Sequence, residues 1–285
     1  MNKYTTKDFD KDFPDDKTCL EWIKNYRWPN GISCQACQKI TKYHRVKNRT
    51  CYECDRCGTQ VYPTADTIFH KSTTPLRTWF QVMYHMASTR CGISAKQIQR
   101  ETGVTYKTAW RMCHQIRKLL DENISQMSGQ IEADETYIGG RKHGKRGRGA
   151  AGKSIAGGLA QRKGKLAAVK IPNVKATTLL RLIKERVLPK SIIHTDDLPS
   201  YNRLIFYGYS HKRIHHHQGA YVVGDIHTNT VDGFWSLFKH GVNGVYHAIS
   251  NKYLQAYLDE YVFRYNHRKE KTPMFKIFLS RICGL

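Results

Sequence analysis

Two CxxC knuckles, Cys34/Cys37 and Cys54/Cys57, stand with 16 residues between Cys37 and Cys54. A stretch this short cannot bury enough apolar surface to fold by itself. Each knuckle, however, presents two thiolates from one tight turn, and two knuckles at this spacing supply the four soft ligands of a tetrahedral zinc site. Four protein ligands leave no open coordination position, so one zinc is expected in a structural role, in a zinc ribbon over residues 31–63 built from two small hairpins. The alternating stretches Tyr43-His44-Arg45-Val46 and Thr59-Gln60-Val61-Tyr62 supply strand material. His44 is a further candidate ligand. Cys51, three residues before Cys54, allows a slipped knuckle, but Gly58 after Cys57 suits the turn that closes the second one. A thioredoxin-like redox pair would need a CxxC at a helix start instead. The nine cysteines are odd in number and no secretion signal precedes them. They read as thiols kept reduced in a cytoplasm.

The partner is indicated by charge. Lys and Arg number 47 against 23 Asp and Glu, a formal net charge of +24, which favours a polyanion, with nucleic acid first. No basic amphipathic helix adjoins an apolar anchor, and no run approaches the ~18 apolar residues of a membrane span. At roughly 150 residues per domain, a chain of 285 suggests about two domains. Residues 1–30 form a helical collar, with Trp22, Ile23, Tyr26 and Trp28 ahead of the Pro29-Asn30-Gly31 turn. From 74 to 122 the apolar spacing turns helical through Leu76, Trp79, Phe80, Met83 and Met86. Ser94 then caps a helix that breaks at Thr102-Gly103, and a second helix runs from Val104 to Leu120. This is helix-turn-helix spacing, and it places Tyr106, Lys107, Thr108 and Arg111 where a major-groove reader carries its DNA contacts.

Residues 129–285 read as an α/β domain. GQIEADETYIGG, SIAGGLAQR and KLAAVKIP are strand-like, ATTLLRLIKERVL is an amphipathic helix, SIIHTDD is a buried strand, and VDGFWSLFKHG and SNKYLQAYLDEYVFRYNHR are helices. Three strands, a helix, a strand and a helix follow the order of a ribonuclease H-like domain, a mixed sheet with flanking helices. Asp134 and Asp196 sit on or just after strands with apolar neighbours. Buried acids brought together repel unless a cation neutralises them, and Mg²⁺ is the hard, oxygen-seeking cation of phosphoryl-transfer sites. A third acid, Asp232, opens a helix and completes a site for two Mg²⁺ (or Mn²⁺) ions. Strand alternation is expected to turn Glu132 and Glu135 away from Asp134, and Asp197 outward. Phe234 and Trp235 are expected in the core. Between the first two strands, Arg141, Lys142, Lys145, Arg146 and Arg148 stand in a glycine-rich loop suited to draping over phosphates. His211, His215, His216 and His217 read as a basic loop or edge strand, since no acid or cysteine at ligand spacing accompanies them.

The motifs IEADETYIGG, IIHTDDLPSYNRL and HTNTVDGFWSLFKHGVNGVYHAISNKYLQAYLDEYVFRYNHR together resemble the catalytic domain of DDE transposases of bacterial insertion sequences, in the branch related to Merlin elements, whose members carry an N-terminal zinc ribbon. The resemblance spans about 20 to 270. It implies a DNA transposase that binds the terminal inverted repeats of its element, cleaves DNA in a metal-dependent reaction and transfers the strand to target DNA. It further implies a homodimer or larger assembly on DNA and a bacterial, nucleoid-associated setting. Asp134 and Asp196 correspond to the first two acids. The third is usually Glu, seven residues before a basic residue; here Asp232 stands seven before Lys239, one methylene shorter. Asn229, one helical turn earlier, is a second candidate ligand, and Lys239 is expected to face phosphate. A domesticated DNA-binding regulator or a structure-specific nuclease are the alternatives.

Overall fold

The computed structural model describes residues 4–139, 152–214 and 227–282. They form two compact units, one running to Leu119 and resuming at Glu270, the other Leu120–Lys269.

The first unit opens with α1 (Thr6–Asp12), which the sequence reading did not anticipate although its signal is present: Thr5 and Asp8 form a reciprocal capping box. In α2 (Asp16–Arg27) the Asp15 carboxylate accepts from the Thr18 N–H, and Cys19, Leu20 and Ile23 are buried. The ribbon follows. Strands β1 (Ile32–Cys34) and β2 (Lys39–Thr41) form an antiparallel hairpin that holds the first knuckle in its turn. The second half is a three-stranded antiparallel sheet rather than a second hairpin, built from β3 (Tyr43–Arg45), β4 (Tyr52–Cys54) and β5 (Gln60–Val61). Three helices follow: α3 (Leu76–Ser88), α4 (Ala95–Thr102) and α5 (Tyr106–Lys118). Ser94 caps α4, and Gly103 ends it in the left-handed conformation that glycine adopts without a Cβ penalty.

The final helix, α9 (Met274–Ser280), packs on α3 of this unit, not with the domain begun at 129 to which the sequence pattern assigned it. The reason is a ring cluster: Phe275 lies 5.7 Å from Phe9, 5.8 Å from Tyr84 and 5.9 Å from Phe13 between centroids. Lys276 also pairs with Asp12 at 2.6 Å.

In the second unit, β6 (Gln130–Ile138), β7 (Ser154–Gln161) and β8 (Leu166–Ile171) form an antiparallel meander. Helix α6 (Ala176–Arg186) then crosses to β9 (Ile192–Thr195), parallel to β6. A 3-10 helix (Pro199–Tyr207) leads to β10 (Ser210–Arg213), parallel to β9. The sheet order is β10-β9-β6-β7-β8. This is the ribonuclease H-like mixed sheet. Because side chains alternate along a strand, each face buries its own core. Ile131, Ala133, Leu159 and Ile193 meet Leu179, Leu182 and Ile183 of α6 on one side. On the other, Ile138, Ala156 and Ala160 meet Val231, Phe234, Trp235 and Phe238 of α7 (Asn229–Gly241), together with Leu254, Leu258 and Tyr261 of α8 (Leu254–His267).

Candidate active site and zinc centre

The central strand carries the first acid. The parallel register of β6 with β9 pairs Gln130 with Ile192, Ile131 with Ile193 and Glu132 with His194. That pairing ends at Glu132 and His194, two residues before Asp134 on β6, and Asp196 follows directly on the end of β9. Asp232 comes from the first turn of α7, which packs against β6. Burial pushes the Asp134 carboxyl up to about 8, and the charges of Glu135, Asp232 and Asp196 push in the same direction. Asp196 and Asp232 therefore both lie within electrostatic reach of Asp134. The Asp196 carboxylate also accepts from the Leu198 N–H at 3.0 Å, which fixes the turn after β9. Asp232 accepts from the Thr228 hydroxyl at 2.8 Å. On the same helix, Asn229 is its exposed first residue, and Lys239 is exposed two turns beyond Asp232. Asp134, Asp196, Asp232 and Asn229 all offer hard oxygens, and the buried Asp134 has its ionised form disfavoured by burial and by the neighbouring carboxylates. That donor set fits Mg²⁺ or Mn²⁺.

Two features that seat α7 were misread or missed in the sequence. Glu132 was expected on the face opposite Asp134, but side chains two apart on a strand share a face, and both point toward α7. Glu132 is fully buried there, accepting from the Thr230 N–H at 2.7 Å and paired with Arg162 at 3.1 Å. Glu135 does lie on the other face, accepting from the buried Tyr201 hydroxyl at 3.2 Å. The second feature is the Gly157-Gly158 pair of β7. Gly158 is the register partner of Asp134. A Cβ on Gly158 would meet Trp235 of α7 at 2.6 Å, and one on Gly157 would meet Leu182 of α6 at 2.7 Å. Each glycine lets one helix close on one face of the sheet. Phe234 and Trp235 lie in the core of this face, as expected.

In the ribbon, Cys34, Cys37, Cys54 and Cys57 bring their sulfurs within 4.8 Å of one another. The Cys34–Cys57 and Cys37–Cys54 separations are 3.5 and 4.0 Å. A tetrahedron with Zn–S bonds of ~2.3 Å has edges of ~3.8 Å, so the thiols are arranged for zinc without rearrangement. The Tyr43 hydroxyl, followed by the Cys37 backbone N–H, holds the Cys34 thiol down to about 5. The Thr41 hydroxyl lowers Cys54. Cys57 beside it pushes Cys37 up to about 12, as for a thiol crowded among thiolates with no cation to share. The alternatives are occupied elsewhere: buried Cys51 turns its Sγ toward Gln60 Oε1 at 3.8 Å, and His44 pairs with Asp55 at 2.6 Å. The three aspartates are not drawn into so tight a group.

On α5, Tyr106, Lys107 and Arg111 are exposed on the first two turns. Lys96 of α4 stands 5.1 Å over the Tyr106 ring, and the Arg111 guanidinium is 5.5 Å from the Trp79 ring. Thr108 is half-buried, and its hydroxyl lies 3.0 Å from that of the helix cap Thr105. His211 contacts the Thr195 hydroxyl at 2.9 Å on the edge strand β10. The basic residues Arg141, Lys142, Lys145, Arg146 and Arg148, and His215, His216 and His217, lie outside the described residues.

Comparison with known proteins matches residues 126–266 to the ISXO2-like transposase domain and residues 14–60 to the transposase zinc-ribbon domain. The chain belongs to this family of DDE transposases with an N-terminal zinc ribbon. It is similar to an uncharacterized protein in the transposable element ISH50 of Halobacterium salinarum, with 28% identity over 89% of this chain and 92% of that one. It is also similar to an uncharacterized transposase-like protein of Haemophilus influenzae, with 33% identity over 39% of this chain and 89% of the relative. Among solved structures, a chain of a pre-cleavage Mos1 transpososome aligns with a TM-score of 0.27 and 12% identity, covering 68% of this chain and 74% of that one. A chain of a simian T-cell lymphotropic virus intasome in complex with a PP2A regulatory subunit aligns with a TM-score of 0.32 and 12% identity, covering 65% of this chain and 64% of that one. The transposase is a nucleic-acid-processing protein by family, and no helix among the described residues is long and apolar enough to cross a membrane.

Proposed function

We propose that this transposase binds the terminal repeats of its own insertion sequence, cleaves DNA at the element ends and joins the freed 3′-hydroxyl to target DNA. The observation that supports this reading is that the charges of Asp196, just past β9, and of Asp232, on the first turn of the α7 helix that packs against β6, both raise the proton affinity of the buried Asp134. Asp134, Asp196 and Asp232 would hold two Mg²⁺ or Mn²⁺ ions, with the Asn229 amide oxygen available one turn before Asp232. Bound there, such a pair stabilises charge developing on the attacking and leaving oxygens of an in-line displacement. Water attacks the phosphodiester, the P–O3′ bond breaks, and the proton from water is released as the 3′-hydroxyl forms. That hydroxyl then attacks a target phosphorus in line, so that the new P–O bond forms as the target's own P–O3′ bond breaks, the hydroxyl proton being lost and one taken up by the departing target 3′-oxygen; no covalent protein intermediate is needed. Lys239, exposed two turns along α7, is placed to meet phosphate.

Recognition of the ends is assigned to the zinc ribbon (31–63) and the helix-turn-helix region (74–122), and catalysis to the domain begun at 129. Exposed Tyr106, Lys107 and Arg111 on α5 support this division, with Thr108 beside them at the helix start. The basic loop with Arg141, Lys142, Lys145, Arg146 and Arg148 would add sequence-independent phosphate contacts. Two DNA ends call for a homodimer or a larger assembly. The test is incubation of the full chain with Mg²⁺ and labelled element ends. Asp134→Asn or Asp196→Asn should lower nicking by several orders of magnitude while end binding survives. Of Asp232→Ala and Asn229→Ala, the larger loss marks the third ligand, and partial rescue by Mn²⁺ supports direct coordination. Unchanged nicking in the Asp134→Asn and Asp196→Asn variants would remove the metal assignment, and end binding without nicking by the wild type would favour a regulator.

A further inference from the structure

The least conventional part of the second unit is the start of α7. Its N-cap, Thr228, makes no side-chain capping bond to the helix and instead donates its hydroxyl to Asp232. The first-turn N–H groups, which a helix cannot satisfy internally, need another acceptor. They find it on β6, 98 residues earlier: Glu132 Oε2 accepts from the Thr230 N–H at 2.7 Å and the Val231 N–H at 3.1 Å. Its other oxygen accepts from the Thr230 hydroxyl at 3.0 Å and from Arg162 Nε at 3.1 Å, and lies 3.2 Å from His227 Nδ1. Arg162 completes the assembly. Its two terminal nitrogens donate to the His227 carbonyl at 2.9 Å, in the segment leading into α7, and to Gln130 Oε1 at 2.6 Å, on β6.

An ionised carboxylate is stabilised at a helix N-terminus by the N–H groups and the helix dipole, and here the partly exposed Arg162 guanidinium lies against the fully buried Glu132 side chain. The consequence is geometric. The clamp joins β6 two residues before Asp134 to α7 between Asn229 and Asp232, so one buried side chain ties the strand that carries the first acid to the helix that carries the third.

We propose that Glu132, held by Arg162, is a positioning residue that sets the spacing between Asp134 and the Asp232/Asn229 turn, and thereby the affinity of this site for divalent cations. The cation role rests on the function proposed above; the clamp itself does not.

The experiment uses the zinc-loaded full chain with three readouts: Mn²⁺ binding by electron paramagnetic resonance, nicking of labelled ends, and hydrogen exchange at the Thr230 and Val231 amides. Glu132→Gln keeps the shape but turns an NH₂ toward donors that need an acceptor. It should weaken Mn²⁺ binding ~10–100-fold, the usual cost of losing a group that orients a ligand. Nicking should fall at fixed metal and recover in part at high metal, and the two amides should exchange faster, with the rest of the unit still protected. A purely structural role would lower the melting temperature and leave Mn²⁺ affinity of the folded fraction unchanged, which overturns the proposal. Where the lone Arg162 charge unfolds the domain, Glu132→Gln combined with Arg162→Met removes that charge and is read the same way. If the wild type neither binds Mn²⁺ nor nicks, the function proposed above fails. The clamp is then judged on exchange alone, and Thr230 and Val231 amides as labile in the wild type as in Glu132→Gln would overturn it.

Discussion

Replacing Gly158 with Ala adds one methyl group on the sheet face that receives α7. Built on the existing backbone, that Cβ lies 2.6 Å from Trp235 Cζ2 and 3.0 Å from Val231 Cγ2, whereas ordinary contact begins at 3.4 Å. Trp235 is a buried ring on α7, three residues after Asp232, with no flexible end to swing aside. Relief therefore requires α7 to retreat from β7 by an amount on the order of 0.8 Å, the difference between 2.6 and 3.4 Å. Overpacking of this kind costs ~1–3 kcal/mol, offset by ~0.4–1 kcal/mol from the smaller conformational freedom of Ala in the unfolded chain. The net loss is ~0–2.6 kcal/mol, a fall of up to several degrees in melting temperature for a domain of this size. The effect on chemistry is larger. A displacement of ~1 Å between catalytic groups can cost ~100-fold in rate, and Asp232 rides on the helix that moves while Asp134, opposite Gly158, does not. Gly157→Ala is the control: its Cβ meets Leu182 on α6 at 2.7 Å, on the other face. Both variants should lose comparable stability in thermal unfolding, while only Gly158→Ala should lose most of its nicking of labelled ends at a temperature where each is folded. Equal nicking by the two variants would refute the reasoning.

Elemental analysis should find one zinc per chain; Cys34→Ser or Cys57→Ser should lose it and unfold residues 31–63, because zinc supplies the folding free energy of so small a sheet, and a metal-free wild type with protected ribbon amides would contradict this. Arg111→Ala should weaken binding to the cognate end more than to random DNA, whereas neutralising Arg141, Lys142, Lys145, Arg146 and Arg148 should weaken both and flatten the salt dependence in filter binding; equal losses for Arg111→Ala would remove the reading helix. Burial pushes the Asp259 carboxyl on α8 up to about 7 against the opposing Gln255 hydrogen bond, with Asp121 adding to the rise and Arg186 opposing it. Since the folded value exceeds the unfolded one, its contribution to stability is fully present below about pH 4 and is lost as pH rises through 7, a penalty of at most roughly 4 kcal/mol. Asp259→Asn should therefore raise the melting temperature at pH 8 and leave it unchanged at pH 3.5; a gain independent of pH would point to a cause other than titration.

Much of the molecule is legible in the sequence because its signals are local. Cysteine spacing alone defines a tetrahedral ligand set, and Ser94 with Gly103 bounds a helix through capping and a left-handed turn. The order of strands and helices after 129 carries the ribonuclease H-like sheet, since short connections leave few ways to pair such a series. The alternation of β6 also contains the shared face of Glu132 and Asp134, which was misread although a period of two dictates it. Other features depend on contacts between residues far apart in the chain, which no window reveals. The cap of α7 comes from a strand 98 residues earlier, the β6–β9 register pairs residues 62 apart in the chain, and the two glycines of β7 serve different helices on opposite faces. Helix α9 has an apolar face that either unit could have covered, and Phe9, Phe13 and Tyr84 cover it. Sequence periodicity tells each element which of its sides must be buried. Which partner buries it, and at what separation the acids are then held, is decided by the packing of the whole unit.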